Sequence, residues 1–378
     1  MQSLITNYLF TCPMQSETPN YAELIETWGK LWQSGFAAVW QGYQQWFQSV
    51  QVFSLGRSLV AQTPACEVWS AGRVKLIRYI PPTATQHPVP VLFVPSLINR
   101  YYILDLLPER SLIKYLVGRG LNVYLLDWGR PTPADADLTL DDHLTHYLHQ
   151  AVAAVQADSR AAPVSLLGYC MGGMFAAVYA SLYPEQVGSL VNLAGPISYH
   201  DDGVFSLLTR STWFDPDKLV QTYGNIPADL LCWTFQMLRP TSHLARALAL
   251  YEHMDNDDYV RSYAAMQTWI FDQVDFPGEA FRQYIKALYQ ENQLVKGAFT
   301  VNGRAVDLGN IRCPLLNISS EHDETAPSES VKILNELVNS EENEQVVLKG
   351  PHVGMVAGSK APHYLWPRLG DWLVDHSG

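Results

Sequence analysis

The sequence predicts an α/β fold: a mostly parallel central sheet flanked by helices, with a helical cap inserted into it. Three observations predict it. Short apolar runs alternate with helix-like stretches from about residue 66 to residue 196. A glycine-rich turn joins the most buried-looking run directly to a helix at residues 168–173. The strand rhythm stops near residue 197 and resumes only after residue 300.

The elements follow in order. Residues 20–54 read as a helix, with Leu24, Trp28, Leu31, Trp32, Val39, Tyr43 and Trp46 recurring at spacings of three and four. That aromatic stripe suits either docking on its own domain or contact with a partner subunit or an apolar surface. VKLIRYI (74–80) and VPVLFVP (89–95) read as strands, and SLIKYLVGRG (111–120) as a helix closed by glycine. LNVYLLDWG (121–129) is apolar almost throughout, as expected of a strand covered on both faces. Residues 139–157 read as a helix, 164–184 as strand, tight turn and helix, and LVNLAGP (190–196) as a strand. CPLLNISS (313–320) and EQVVLKG (344–350) are the last strands, VKILNELV (331–338) lies between them as a helix, and residues 362–375 form the closing helix. The expected organisation is an N-terminal segment (1–60), a first core part (61–196), a cap (197–300) and a second core part (301–378).

Composition limits the function. The chain has 378 residues, 48% hydrophobic and only 16% charged, enough for a large core and a cap. Its net charge of -12 would repel phosphate backbones, so no nucleic-acid partner is expected. Five cysteines without a CxxC pair argue against a disulfide framework or zinc site and for a reducing, cytoplasmic setting. The first residues lack the basic and apolar regions of a signal peptide, and no run of 18 apolar residues suggests a transmembrane segment.

The chemistry centres on Gly168-Tyr169-Cys170-Met171-Gly172-Gly173. Between a buried strand and a helix, this is the nucleophile elbow of an α/β-hydrolase fold, with cysteine where serine is more usual. Small residues two before and two after the nucleophile let the strand turn sharply. The helix N-terminus behind Cys170 favours a thiolate and a developing oxyanion. In this fold the acid and the histidine follow in chain order. Asp323 lies just past the strand ending at Ser320, and the ETAP segment after it favours it over Glu321 and His322. His352 follows the last strand, on an expected loop between Gly350 and Gly354. The oxyanion hole would use the backbone N–H of Met171 and one from Leu97 or Ile98, in the loop after the early strand.

Other features are less decisive. His143, His146 and His149 fall at i, i+3 and i+6, which suits a metal or an ordinary helix face. Asp127 ends a strand at the active edge, either supporting the site or capping a turn. Cys232 reads as a small core residue of the cap. No metal and no bound cofactor is expected.

Several segments together are similar to the polyhydroxyalkanoate synthases. They are SLINRYYILDLLPERSLIKYLVGRGLNVYLLDWGRP (96–131), GYCMGG (168–173), GNIPADLLCWTFQMLRP (224–240), MQTWIFDQVDFPGEAFRQ (266–283) and GPHVGMVAG (350–358). The similarity covers about residues 65–375, and the length resembles the short catalytic subunit of class III enzymes; class IV is the near alternative. It implies Cys170 as the acylated nucleophile, His352 as base and Asp323 as the third member. It also implies an (R)-3-hydroxyacyl-coenzyme A substrate, most of all 3-hydroxybutyryl, so that coenzyme A enters with the substrate and not as a cofactor. A second, non-catalytic subunit, a homodimer with Trp269 near the contact, and residence on cytoplasmic polyester granules follow from the same resemblance. The chain departs from the family pattern at Ser198, where Asp is expected, and at Cys232, where Asn is common. A thioesterase or polyester depolymerase would share the fold and triad, and a granule-coating scaffold would need neither.

Overall fold

A computed structural model describes residues 52–82, 87–238 and 242–377. The chain divides into Met1–Phe53, almost wholly outside the described residues, and Ser54–Gly378, which carries the fold. The aromatic stripe expected over residues 20–54 lies outside the described residues except for its last three, which open helix α1 (Val52–Leu59).

Ten strands are described: β1 (Ala65–Ala71), β2 (Val74–Tyr79), β3 (His87–Val94), β4 (Leu121–Asp127), β5 (Val164–Tyr169), β6 (Val187–Leu193), β7 (Thr300–Val301), β8 (Arg304–Ala305), β9 (Leu315–Ser320) and β10 (Asn343–Leu348). Eight of them form one sheet in the order β1-β2-β4-β3-β5-β6-β9-β10. The pairs from β4 through β10 are parallel, while β1–β2 and β2–β4 are antiparallel. Every residue of β4, β5 and β9 is buried, which explains their unbroken apolar runs. Strand β1 has no such run. It is an exposed edge strand, so its composition gave no signal. Edge strand β10 alternates between exposed and half-buried positions.

Helices cover both faces. Helix α2 (Leu112–Gly118) starts where the Ser111 side chain accepts from Lys114 N–H at 2.8 Å. Residues 140–159 form one helical stretch with a π-helical turn over His143–Leu148, continuing as α3 (His149–Ser159). Helix α4 (Met171–Leu182) is buried along its whole length beside β5 and β6. The expected 331–338 helix is instead two short pieces, α11 (Ser328–Lys332) and α12 (Leu334–Leu337).

The cap stands between β6 and β9, which are neighbours in the sheet. It comprises α5 (Val204–Leu208), α6 (Pro216–Tyr223), α7 (Ala228–Met237), α8 (Ser242–Glu252), α9 (Asp257–Phe271) and α10 (Gly278–Gln283). A π-helical turn, Tyr284–Gln290, extends α10. The small β7–β8 hairpin then returns the chain to the core, where Arg304 donates to Leu182 O at 2.9 Å. No helix among the described residues is long and apolar enough to cross a membrane.

Candidate active site

Backbone geometry makes the elbow. Cys170 has φ 57° and ψ -129°, a conformation that L-residues rarely adopt, stabilised by a hydrogen bond from its N–H to Leu193 O at 3.0 Å. Its own carbonyl accepts from Gly173 N–H at 2.8 Å. A Cβ on Gly168 would sit 2.2 Å from Gly172 O, and one on Gly172 only 1.8 Å from Val94 O. These backbone atoms have no room to move, so the small residues flanking the cysteine are steric necessities.

Asp323 and His352 arrive on separate turns. Asp323 lies three residues beyond β9. One carboxylate oxygen accepts from the N–H groups of Thr325 (2.9 Å) and Ala326 (2.8 Å). The other is 2.6 Å from His352 Nδ1. Glu321 and His322, its rivals in the sequence, make no such contact and are exposed. His352 does not sit on a loop as expected. It is the first residue of a short helix, α13 (His352–Ala357). This helix packs through buried Met355, Val356 and Ala357, and Trp366 of α14 (Ala361–Asp375) donates to Val356 O at 3.0 Å. Ser320 ties the preceding turn down by donating to Gly350 O.

The imidazole is sensitive to its neighbours. Burial alone would push its pKa down, but the charges of Asp323 and Cys170 outweigh that and hold it well above the ordinary histidine value. Its Nε2 is buried and makes no hydrogen bond of good geometry, although the Cys170 thiol is close enough to act on the ring. Tyr169 stacks on the same ring, with centroids 5.3 Å apart.

Cys170 and His352 line one cavity of about 390 Å³. Its apolar wall includes Phe235, Leu238, Met266, Trp269, Ile270 and Val353, most of them from the cap. Three neutral amides, Asn99, Gln236 and Gln273, also face it. Leu97 and Ile98 are buried in the core, and the residue of their loop that reaches the cavity wall is Asn99. The loop lies against the elbow, since Gly172 abuts Val94 and Pro95, and Trp128 pins it by donating to Pro95 O at 2.9 Å.

Cys232 is not a plain core residue. It lines the same cavity as Cys170, accepts from Gln236 Nε2 at 3.0 Å, and burial pushes its thiol up to about 11. Trp269 is buried within the chain, lines the cavity and donates to Arg100 O at 2.8 Å. The three helix histidines have different surroundings. His143 is buried against Thr139 O and Arg73, and burial takes it down to about 4; His146 contacts Gln150; His149 contacts Tyr179. Among the described residues no cluster of His, Cys, Asp and Glu has a metal-binding arrangement. Asp127 caps its own turn, accepting from Gly129 N–H at 3.0 Å, and pairs with Arg100 at 3.3 Å.

The device that joins the cap to the core here has no local signature in the sequence. Asp272, at the end of α9, accepts from Tyr102 at 2.8 Å, pairs with Arg130 and lies 4.0 Å from Arg100 Nε. Beside it, Asn99 donates to Gln273. The partners are more than a hundred residues apart, and no local spacing links them.

With this geometry in place, comparison with known proteins identifies the family. The α/β-hydrolase fold family matches residues 89–358, and the poly-β-hydroxybutyrate polymerase (PhaC) N-terminus family matches residues 21–116. The poly(3-hydroxyalkanoate) polymerase subunit PhaC of Thiocystis violacea is 37% identical over 320 residues, 83% of this chain and 89% of that protein. The chain belongs to the poly(3-hydroxyalkanoate) polymerases. The subunit of the same name from Synechocystis sp. is 36% identical, covering 84% of this chain and 85% of its own length. That of Haloferax mediterranei is 35% identical over 84% of this chain, which spans 65% of the longer relative. Polymerases of this name are acyltransferases, and the chain is therefore a member of an acyltransferase enzyme family. A solved esterase from Thermogutta terrifontis is 12% identical, with TM-score 0.49, covering 83% of this chain and 99% of that one.

Proposed function

We propose that the protein polymerises (R)-3-hydroxyacyl-coenzyme A, first of all 3-hydroxybutyryl-coenzyme A, into polyester with release of coenzyme A. One observation carries this reading: in a member of this family, a strained elbow cysteine and an Asp-braced imidazole open onto the same largely apolar cavity.

The reaction divides into two transfers. His352 takes the thiol proton of Cys170, and the thiolate attacks the thioester carbonyl. The N–H of Met171 and one from Leu97 or Ile98 stabilise the oxyanion. The carbon–sulfur bond to coenzyme A breaks, and the departing thiolate takes the His352 proton. Cys170 is now a neutral thioester, so one of the two charges that held the imidazolium is gone. His352 becomes a competent base. It removes the proton from the 3-hydroxyl of a second acyl group, whose oxygen attacks the Cys170 thioester. An ester forms and Cys170 leaves as thiolate, taking back the proton from His352; the lengthened chain, still a coenzyme A thioester at its other end, then reloads Cys170 by the first transfer.

His352, and not Asp323, activates the hydroxyl. The Asp323 side chain is fully buried, with its oxygens committed to His352, Thr325 and Ala326, whereas Nε2 is the uncommitted base. The cap excludes water that would hydrolyse the thioester. The reaction requires no bound cofactor or metal. The protein works with a second, non-catalytic subunit, the word subunit in its relatives' names being in keeping with a multi-subunit enzyme, and as a homodimer at the surface of cytoplasmic granules, as the family resemblance implies.

Purified protein given 3-hydroxybutyryl-coenzyme A, alone and with a second subunit, should release free thiol and form insoluble polyester. Cys170→Ala should do neither. Thiol release with only soluble 3-hydroxybutyrate would make the protein a thioesterase.

A further inference from the structure

Tyr169 occupies the elbow position that the steric demands of the turn leave open. The flanking glycines exclude any Cβ, but nothing in the turn requires a large aromatic residue beside Cys170. Its ring is buried in the apolar cluster that holds Val191, Leu193, Ile318 and Met355. It lies nearly parallel to the His352 imidazole, at 5.3 Å and 23°. The Tyr169 hydroxyl is buried and has no hydrogen-bond partner among the described residues. No polar contact of its own therefore accounts for the ring's placement.

We infer that Tyr169 is a positioning residue for His352: its ring face fixes the imidazole plane and favours the imidazolium over the neutral ring. A single hydrogen bond from Nδ1 to Asp323 leaves the imidazole free to swing about that bond, and swinging moves Nε2 away from Cys170. A stacked face removes that freedom. The electron-rich face of a phenol also attracts a cation, more strongly where water is excluded. The other titratable groups near the imidazole are Asp323 after β9 and Cys170 at the elbow, while His322, Glu324 and Arg246 share the cavity wall. This inference rests on Cys170 and His352 being the reactive pair.

The test uses the full chain labelled with ¹⁵N-histidine, the His352 signal being assigned by its loss in His352→Gln. Its titration midpoint is compared with kcat and KM in three proteins. Tyr169→Phe should keep the wild-type midpoint and kcat. Tyr169→Leu should lower the midpoint by roughly one pH unit and kcat roughly tenfold, with KM little changed. If Tyr169→Leu does not fold, pentafluorophenylalanine at position 169 keeps the ring shape but reverses its charge distribution, and the same fall in midpoint is expected. An unchanged midpoint in the leucine or fluorinated protein would overturn the inference, as would a phenylalanine variant as impaired as the leucine one. Cys170→Ala separates the underlying reading: if it leaves the His352 midpoint untouched, the pairing of Cys170 with His352 fails instead.

Discussion

The floor and the roof of the cavity are built on different principles. The floor is set by backbone. Cys170 is held by a strand-to-helix turn whose glycines abut carbonyl oxygens, and Asp323 and His352 are bound to backbone or to each other. The roof is set by side chains. Cap helix α9 and the two residues after it reach the core through Trp269, Asp272 and Gln273 meeting Asn99, Arg100, Tyr102 and Arg130. The cap also exposes most of the large apolar side chains on the described surface, among them Trp213 (58% exposed), Met254 (64%) and Tyr251 (78%). A backbone-built site tolerates few substitutions but holds its reacting atoms firmly. A side-chain-built wall can be altered one residue at a time without disturbing the chemistry beneath it.

If that contrast is right, the largest losses belong to the floor. Cys170→Ala should lower polymer formation at least about 10⁴-fold without loss of folded protein, measured by thiol release and a thermal melt. Gly172→Ala should fail to accumulate as folded protein, because its Cβ would overlap Val94 O. Asp323→Asn should lower kcat by roughly 10²–10⁴ through the misoriented imidazole.

The same variant carries a pH signature. His352 has a raised pKa in the folded state, so the stability it gains from Asp323 is fully present below about pH 6.5, its unfolded value. That gain is lost as pH rises through the higher folded value. Denaturant melts should therefore show the largest gap between wild type and Asp323→Asn in mild acid, closing in alkali. A gap that widens with pH would contradict the assignment.

Losses at the roof should be smaller. Asp272→Ala leaves Arg130 without its carboxylate and Arg100 with Asp127 alone, and should cost about 1–3 kcal/mol, given their partial exposure. Urea titration reads that cost, and soluble 3-hydroxybutyrate should appear as water enters beneath the loosened cap. Cys232→Ala should be the mildest, with less than about 1.5 kcal/mol lost and thiol release within a few-fold of wild type. An effect there as large as at Cys170 would erase the distinction between floor and roof.

The same contrast explains what the sequence disclosed. Strands β4, β5 and β9 were legible because burial on both faces leaves an uninterrupted apolar run. The elbow was legible because its glycines fall at a fixed local spacing around the cysteine, although Gly172 is forced by Val94 of the neighbouring strand. Asp323 and His352 were legible from their places just after β9 and β10. Strand β1 escaped because an exposed edge strand carries no apolar signature. The helical start at His352 escaped because a six-residue helix beginning after Gly350-Pro351 reads as a turn. Cys232 was placed in the cap but not at the cavity, and the Asp272 clamp was not seen at all. Both depend on contacts between distant segments that no periodicity records.

The central claim is that the growing chain is carried on Cys170. Rapid quenching of the protein after mixing with 3-hydroxybutyryl-coenzyme A, followed by peptide mass mapping, tests it directly. The account predicts 3-hydroxybutyryl units on the peptide containing Cys170 and on no other, lost in Cys170→Ala. Acylation of the Cys232 peptide, or polymer formed while Cys170 remains unmodified, would contradict it.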